Sequence, residues 1–244
     1  MASEPSLGLD LVAGDPNLTF IAFIAMALLA VVAARFGVYA YLNARATAID
    51  DQRVLWEYLL YVGAVAAAYG LVGVVEIVST AEASFKTGVM LAVVLLLALS
   101  IREVYFNTAL SSAGHSGEFR GRRVLELGFV AVVAVAVFGV AVVGLTRPLL
   151  ALQGVGGVVF AGYGFLFGRR QTGAAMVQGT AIDSLLRHLL PVLAFAALVP
   201  VADLATVAGL DRVVVVHVQT VFVIMTATAL MTATIKLRQN LSSL

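Results

Sequence analysis

The chain has 244 residues, 61% hydrophobic and 12% charged, with a mean hydropathy of +1.03. That composition excludes an ordinary soluble domain. The net charge of +1 gives no signal for nucleic acid, and the absence of cysteine excludes disulfides, a thiolate metal site and a cysteine nucleophile. One all-α polytopic membrane domain is expected at 18–238, between a polar tail at 1–17 and a second tail at 239–244. Lysine occurs only at Lys86 and Lys236, and the bias toward Arg, Val and Ala points to a GC-rich prokaryotic genome.

The first tail carries Glu4, Asp10 and Asp15 and no basic residue. It lacks the basic region of a cleaved leader, so the first span is expected to be an uncleaved anchor with the tail outside. About 20 apolar residues at 1.5 Å per residue cross a hydrocarbon core of roughly 30 Å. The first span is expected at about 18–42, with Arg35 snorkelling near its inner end and Tyr39 and Tyr41 at the interface. The second, at 55–78, starts at Trp56 and Tyr58 and offers Gly63, Gly70 and Gly73 for close helix contact.

The third span is expected at 82–107. Only fifteen uncharged residues separate Lys86 from Arg102, so Lys86 should reach outward, toward Glu82 at i−4. Residues 105–123 form the longest polar stretch, with a basic cluster at Arg120, Arg122 and Arg123. The fourth span, 122–146, is almost featureless Val and Ala, which predicts peripheral packing. The fifth, 148–168, carries six glycines, read as close helix packing, and ends at Arg169 and Arg170. The sixth, 183–208, is interrupted by Pro191 and Pro200, each of which removes a helix hydrogen bond.

The seventh span, 212–238, contains an uncharged run of twenty-three residues at 213–235. At about 100° per residue, His217, Thr220, Thr228 and Thr232 share one side and Gln219 and Thr226 the other. Polar groups of this kind usually face protein rather than lipid, so both faces are candidate polar surfaces. With the N-terminus outside, Lys86, Arg147 and Arg212 lie outside and the other twelve basic residues inside, while the acids divide seven and seven. This positive-inside pattern predicts seven helices, N-terminus out and C-terminus in, in the cell membrane.

Three histidines exist, and His115 and His188 fall on the inner side while His217 falls on the outer, so a three-histidine zinc site is not expected. Neither a Gly-x-Ser-x-Gly elbow nor a phosphate-binding glycine loop is present, and no enzyme activity is expected. The outer half gathers Glu76, Glu82, Lys86, Asp203, Asp211 and His217. A candidate outer vestibule is therefore assigned to Glu76, Glu82, Lys86, Asp203 and His217. The inner side gathers Glu57, Glu103, Glu126, Arg187 and His188, read mainly as interfacial charges. A candidate cytoplasmic partner surface comprises Arg120, Arg122, Arg123, Arg169 and Arg170. No row of carboxylates crosses the membrane, which argues against an active pump.

Several strings carry a resemblance. Asp51 precedes a helix with a central Tyr69. The run Glu82-Ala83-Ser84-Phe85-Lys86-Thr87-Gly88 can be laid on a third-helix pattern of carboxylate, Trp, two residues, Thr, Thr, Pro, matching at Glu82 and Thr87. Leu198-Val199-Pro200-Val201-Ala202-Asp203 matches a Pro-centred sixth-helix segment, and Val218-Gln219-Thr220 the start of a last helix. In these strings and in its seven-helix plan the chain resembles the microbial rhodopsins. The resemblance implies a counterion at Glu82 and places the family's retinal lysine near Leu230 or Met231 and its second counterion near Thr226. Neither residue type is there, and a Schiff base needs an amine. No covalent cofactor is expected, and non-covalent retinal or carotenoid remains open.

The leading expectation is a rhodopsin-like, non-pumping sensor or partner-binding protein. A kinked helix can serve such a role if a ligand or partner binds its two shapes unequally. A small-solute transporter and a structural subunit of a membrane complex are the alternatives. The expected partners are the lipid bilayer and a membrane protein or second copy of the chain.

Overall fold

The structure is a computed structural model that describes residues 11–47, 50–79, 81, 83–109, 119–172 and 181–242. After a short 3-10 turn at Val12–Gly14, the chain forms α1 (Pro16–Ala46), α2 (Asp50–Val78), α3 (Lys86–Ala109), α4 (Phe119–Val143), α5 (Arg147–Thr172), α6 (Ala181–Val201), a short α7 (Asp203–Val207) and α8 (Arg212–Ser242). Among the described residues, seven helical segments are long and apolar enough to cross a membrane, with α6 and α7 together making the sixth. This is the architecture of a multi-pass membrane protein.

The helix ends follow from local chemistry. Asp15 caps α1 by accepting from the backbone N–H groups of Asn17 at 2.8 Å and Leu18 at 3.3 Å, ahead of Pro16 at the first helical position. Gly144 (φ +79°) ends α4 and Gly209 (φ +97°) follows α7, both in the left-handed region where a side chain is disfavoured.

Helices adjacent in sequence pack together, and α8 closes the bundle by packing on both α1 and α6. The third helix lies at the centre, against α2, α4, α5 and α6, and reaches past α4 to α5. In its most apolar stretch α3 is 72% buried and α4 only 17%, so α4 is peripheral, as its featureless sequence predicts. Phe129 holds α4 against α5 through a tilted contact with Phe160 (4.9 Å between centroids) and an edge-to-face contact with Tyr163 (5.3 Å). A second tie is polar: Arg102 on α3, 2% exposed, pairs with Glu126 on α4 and with the adjacent Glu103 at 2.8 Å. Glu103 and Glu126, expected as interfacial charges, therefore meet a buried arginine that joins two helices.

Close approach depends on small residues. A Cβ built on Gly63 would lie 2.6 Å from the Gly37 backbone, and one on Gly70 would lie 2.7 Å from the Ala30 nitrogen, so α1 and α2 meet backbone to backbone. On α5, a Cβ at Gly164 would meet Leu193 at 2.5 Å and one at Gly154 would meet Leu204 at 2.4 Å, whereas Gly162 faces open space. The fifth-span glycines are thus mainly contact surfaces.

Three expectations need correction. The third helix starts at Lys86 rather than 82, because Ala83, Ser84 and Phe85 form a turn whose Ala83 N–H is held by Glu76 Oε1 at 2.9 Å. Pro191 does not interrupt α6; its exposed ring sits on a continuous helix, and the break comes only after Pro200, at Ala202. Ala202 keeps helical angles (φ −61°, ψ −23°), so this break is one of hydrogen bonding rather than a sharp turn. The last helix continues through Ser242, into the stretch expected as a tail.

Substituting Gly63→Val should destabilise the protein by about 3 kcal/mol or more, at or above the upper end of overpacking, because backbone cannot move aside. Gly162→Val should be close to neutral. Thermal unfolding of both variants in the same detergent checks this.

Candidate functional site

The sixth and seventh spans are joined by one side chain. Gln219 on α8 donates from Nε2 to the Val199 carbonyl at 3.0 Å and to Asp203 Oδ1 at 2.9 Å. These acceptors flank the break at Ala202, and Asp203 is fully buried. The Val199 carbonyl lies four residues before Asp203, where the helix is broken, and inside a membrane every backbone polar group needs a partner within the protein. Gln219 therefore joins the broken helix to α8. The second carboxylate oxygen, Asp203 Oδ2, is buried without a hydrogen-bond partner among the described residues.

Gln219 also lines a cavity of about 450 Å³ between α1, α2, α3 and α8. Its polar wall carries Tyr69 and Glu76 from α2, Lys86 and Thr87 from α3, and Arg212 from the start of α8. Met26, Val199 and Val223 form much of the apolar wall. This size and mixed lining suit a small molecule. Glu76 serves two ends at once: Oε2 pairs with Lys86 Nζ, and Oε1 accepts the Ala83 N–H. The pair therefore fixes the α2–α3 turn as well as placing charge at the cavity. Tyr69 is 3% exposed, with the carboxyl groups of Glu76 and Asp203 in its surroundings. Thr87 Oγ1 is buried and has no hydrogen-bond partner among the described residues. Such groups in folded proteins are met by water or by a bound polar molecule.

The sequence-predicted residues divide. Glu76 and Lys86 line the cavity, and Asp203 reaches it through Gln219. Glu82 lies outside the described residues, and the partner observed for Lys86 is Glu76, ten residues earlier. His217 is exposed and does not line the cavity; its Nδ1 is 2.7 Å from the Val213 carbonyl of its own helix. The grouping of the last helix's polar faces also changes. Gln219, Thr220 and Thr226 face the protein, whereas Thr228 and Thr232 are exposed. Their hydroxyls bond back to their own helix, Thr228 to Ile224 at 2.9 Å and Thr232 to Ala229 at 2.7 Å, which lets them face lipid at little cost. Thr226 likewise donates to Phe222 at 2.7 Å.

On the candidate partner surface, Arg169 and Arg170 are exposed, while the side chains of Arg120, Arg122 and Arg123 lie outside the described residues. His115 lies outside them too, and His188 Nδ1 is 2.6 Å from the Ser184 carbonyl. Among the described residues no three His, Asp or Glu side chains gather as a metal site. Of the two positions near which the resemblance would put a retinal lysine, Leu230 is 1% exposed in the core and Met231 is 54% exposed.

The sequence reading missed Arg212 and Thr87 as cavity residues, and it missed the link from Gln219 to Asp203. No sequence signal pairs residues sixteen positions apart across a turn. It also missed Asn43, which falls just past the first span expected at 18–42. Asn43 is fully buried and donates to the Leu237 carbonyl at 3.1 Å while accepting from Asn240 at 2.7 Å, tying α1 to α8. Comparison of the chain with protein-family models, with curated proteins and with solved structures finds no match.

Gln219→Leu removes the donor between Val199 and Asp203 and should cost about 1–3 kcal/mol, the range for leaving a buried acceptor unpaired. Pairing it with Asp203→Leu should cost less than the two single changes summed, with a coupling of about 0.5–3 kcal/mol. Additive single and double variants in detergent unfolding would show that the bond carries no coupling.

Proposed function

We propose that the chain is a rhodopsin-like protein of the cell membrane, without covalent retinal, that acts as a non-pumping sensor of a small polar solute. The N-terminus lies outside and the C-terminus inside, as the partition of basic residues supports. The solute enters the cavity bounded by Glu76, Lys86, Tyr69 and Gln219. Lys86 and Arg212 outnumber Glu76 among the charged lining residues, which favours a solute bearing an anionic group. The observation that carries this reading is the dual place of Gln219: it lines the cavity and bonds the break in the sixth span. A solute that competes for the Gln219 amide, or completes its bonding, binds the two forms of that helix unequally and shifts their populations.

Because the chain has no cysteine, Leu210→Cys carries a single fluorophore beside the short helix α7. Titration with small carboxylates and zwitterions should give a saturable change that Gln219→Leu abolishes. Lys86→Met should weaken it about tenfold or more, the loss of one charge-assisted hydrogen bond. Accumulation of the same solutes in proteoliposomes would replace sensing with transport, and no response to any of them would remove the solute reading.

Incubation with all-trans retinal should leave no stable visible band. A band that disappears in Lys86→Ala would overturn the claim that no amine is placed to hold a chromophore. A tag after Leu244 should be protected in intact cells, and its detection at the exterior would reverse the orientation.

A further inference from the structure

A second groove, of about 420 Å³, runs between α1 and α8 at the end of the bundle held by Asn43. The two helices run in the same direction there, since Ala22 and Met26 share the first cavity with Val216 and Val223 while Asn43 bonds Leu237. Two arginines line the groove, Arg35 and Arg238, and among the described residues no carboxylate does. Both are exposed, and the ion pairs observed among the described residues involve neither. Arg35 lies within a candidate span, where an unpaired charge is costly. Its guanidinium is 5.9 Å from the centre of the Tyr39 ring, one turn nearer the helix end.

The groove is graded along its length. Arg238, Gln239 and Ser242 lie at its helix-end side, and Val31, Met231 and Ile235 line its deeper part. Those three apolar side chains are 67%, 54% and 46% exposed, as expected of a surface turned to hydrocarbon. A polar, cationic end at Arg238, Gln239 and Ser242, an apolar part at Val31, Met231 and Ile235, and the Arg35 guanidinium reaching from that apolar part back toward Tyr39 match a phospholipid with a negative headgroup. Basic pockets between spanning helices hold such headgroups.

We propose that this groove is a binding site for one anionic phospholipid, whose phosphate is held by Arg35 and Arg238 and whose acyl chain lies along Val31, Met231 and Ile235. The Asn43 clamp, four residues past Tyr39 on α1 and bonded to Leu237 and Asn240 on either side of Arg238 on α8, ties the two walls together. A soluble anion lacks the acyl chain and gains only the charge contacts.

The test uses the full chain, purified in a neutral detergent and given equimolar phosphatidylglycerol and phosphatidylcholine, with bound lipid counted by native mass spectrometry. Phosphatidylglycerol should be retained roughly tenfold over phosphatidylcholine, the scale set by two basic contacts to an anionic headgroup. The double variant Arg35→Gln with Arg238→Gln should lose that preference, and Arg238→Gln alone should reduce it. A control that removes as much charge elsewhere, Arg45→Gln with Arg170→Gln, should keep it. In a thermal scan, phosphatidylglycerol should raise the unfolding temperature of the unaltered chain and millimolar inorganic phosphate should not. Equal retention of the two lipids by the unaltered chain, or an equal shift from inorganic phosphate, overturns the site whether or not the variants fold.

Discussion

A helix that loses its hydrogen-bond ladder inside a hydrocarbon layer needs a partner from elsewhere in the protein, because no water is there to take the freed groups. That constraint organises the seventh span's contact with the sixth. At Ala202 the sixth span is interrupted, and the Gln219 amide binds the Val199 carbonyl on one side of the break and the Asp203 carboxyl on the other. A single neutral side chain thus closes the bundle between α6 and α8 at the point where α6 is least able to support itself. At the opposite end Asn43 does the equivalent between α1 and α8 by donating to the Leu237 carbonyl. Two amides therefore hold the last helix against its neighbours on both sides, and each bonds a backbone carbonyl.

Amides suit this role. Lipid tails are as apolar as the helices, so burial of apolar surface does little to draw helices together, and packing and hydrogen bonds must do it. The packing comes from glycine: backbones touch at Gly37 and Gly63 on the α1–α2 seam, and leucines fill the space over Gly154 and Gly164 on α5. The charges are used differently. Arg102 is buried between Glu103 and Glu126 and joins α3 to the otherwise peripheral α4, while Lys86 and Glu76 brace the α2–α3 turn and face the cavity. Glu76, Lys86, Arg102 and Glu126 thus fasten neighbouring helices. Arg35 and Arg238 share one groove and enter none of the ion pairs observed among the described residues.

Legibility differed by residue type. Spans were readable because a hydrocarbon layer demands an uninterrupted apolar length, and runs such as 213–235 announce it. The glycines of the fifth span were readable because a missing Cβ has one main use between helices. Threonine was misleading. His217, Thr220, Thr228 and Thr232 share an angular sector, yet only Thr220 is buried, since each of these side chains has its own helix's carbonyls within reach. Proline was half readable: Pro200 precedes a break, and Pro191, with its ring at the surface, does not make one. Lys86 was expected to look along its own chain to i−4, but its observed partner, Glu76, lies on the neighbouring helix.

The order of residues alone determined the number of spanning segments, the sparse polar interior and the lack of an amine near Leu230, because each is a property of one helix and its length, composition or periodicity. Which polar residues meet was decided only by the tertiary structure. Gln219 with Asp203, Asn43 with Leu237, Arg102 with Glu126, and the shared groove of Arg35 and Arg238 all join groups on different helices. The rotation of each helix about its own axis sets those meetings, and in a chain this uniformly apolar the hydrophobic pattern scarcely encodes that rotation.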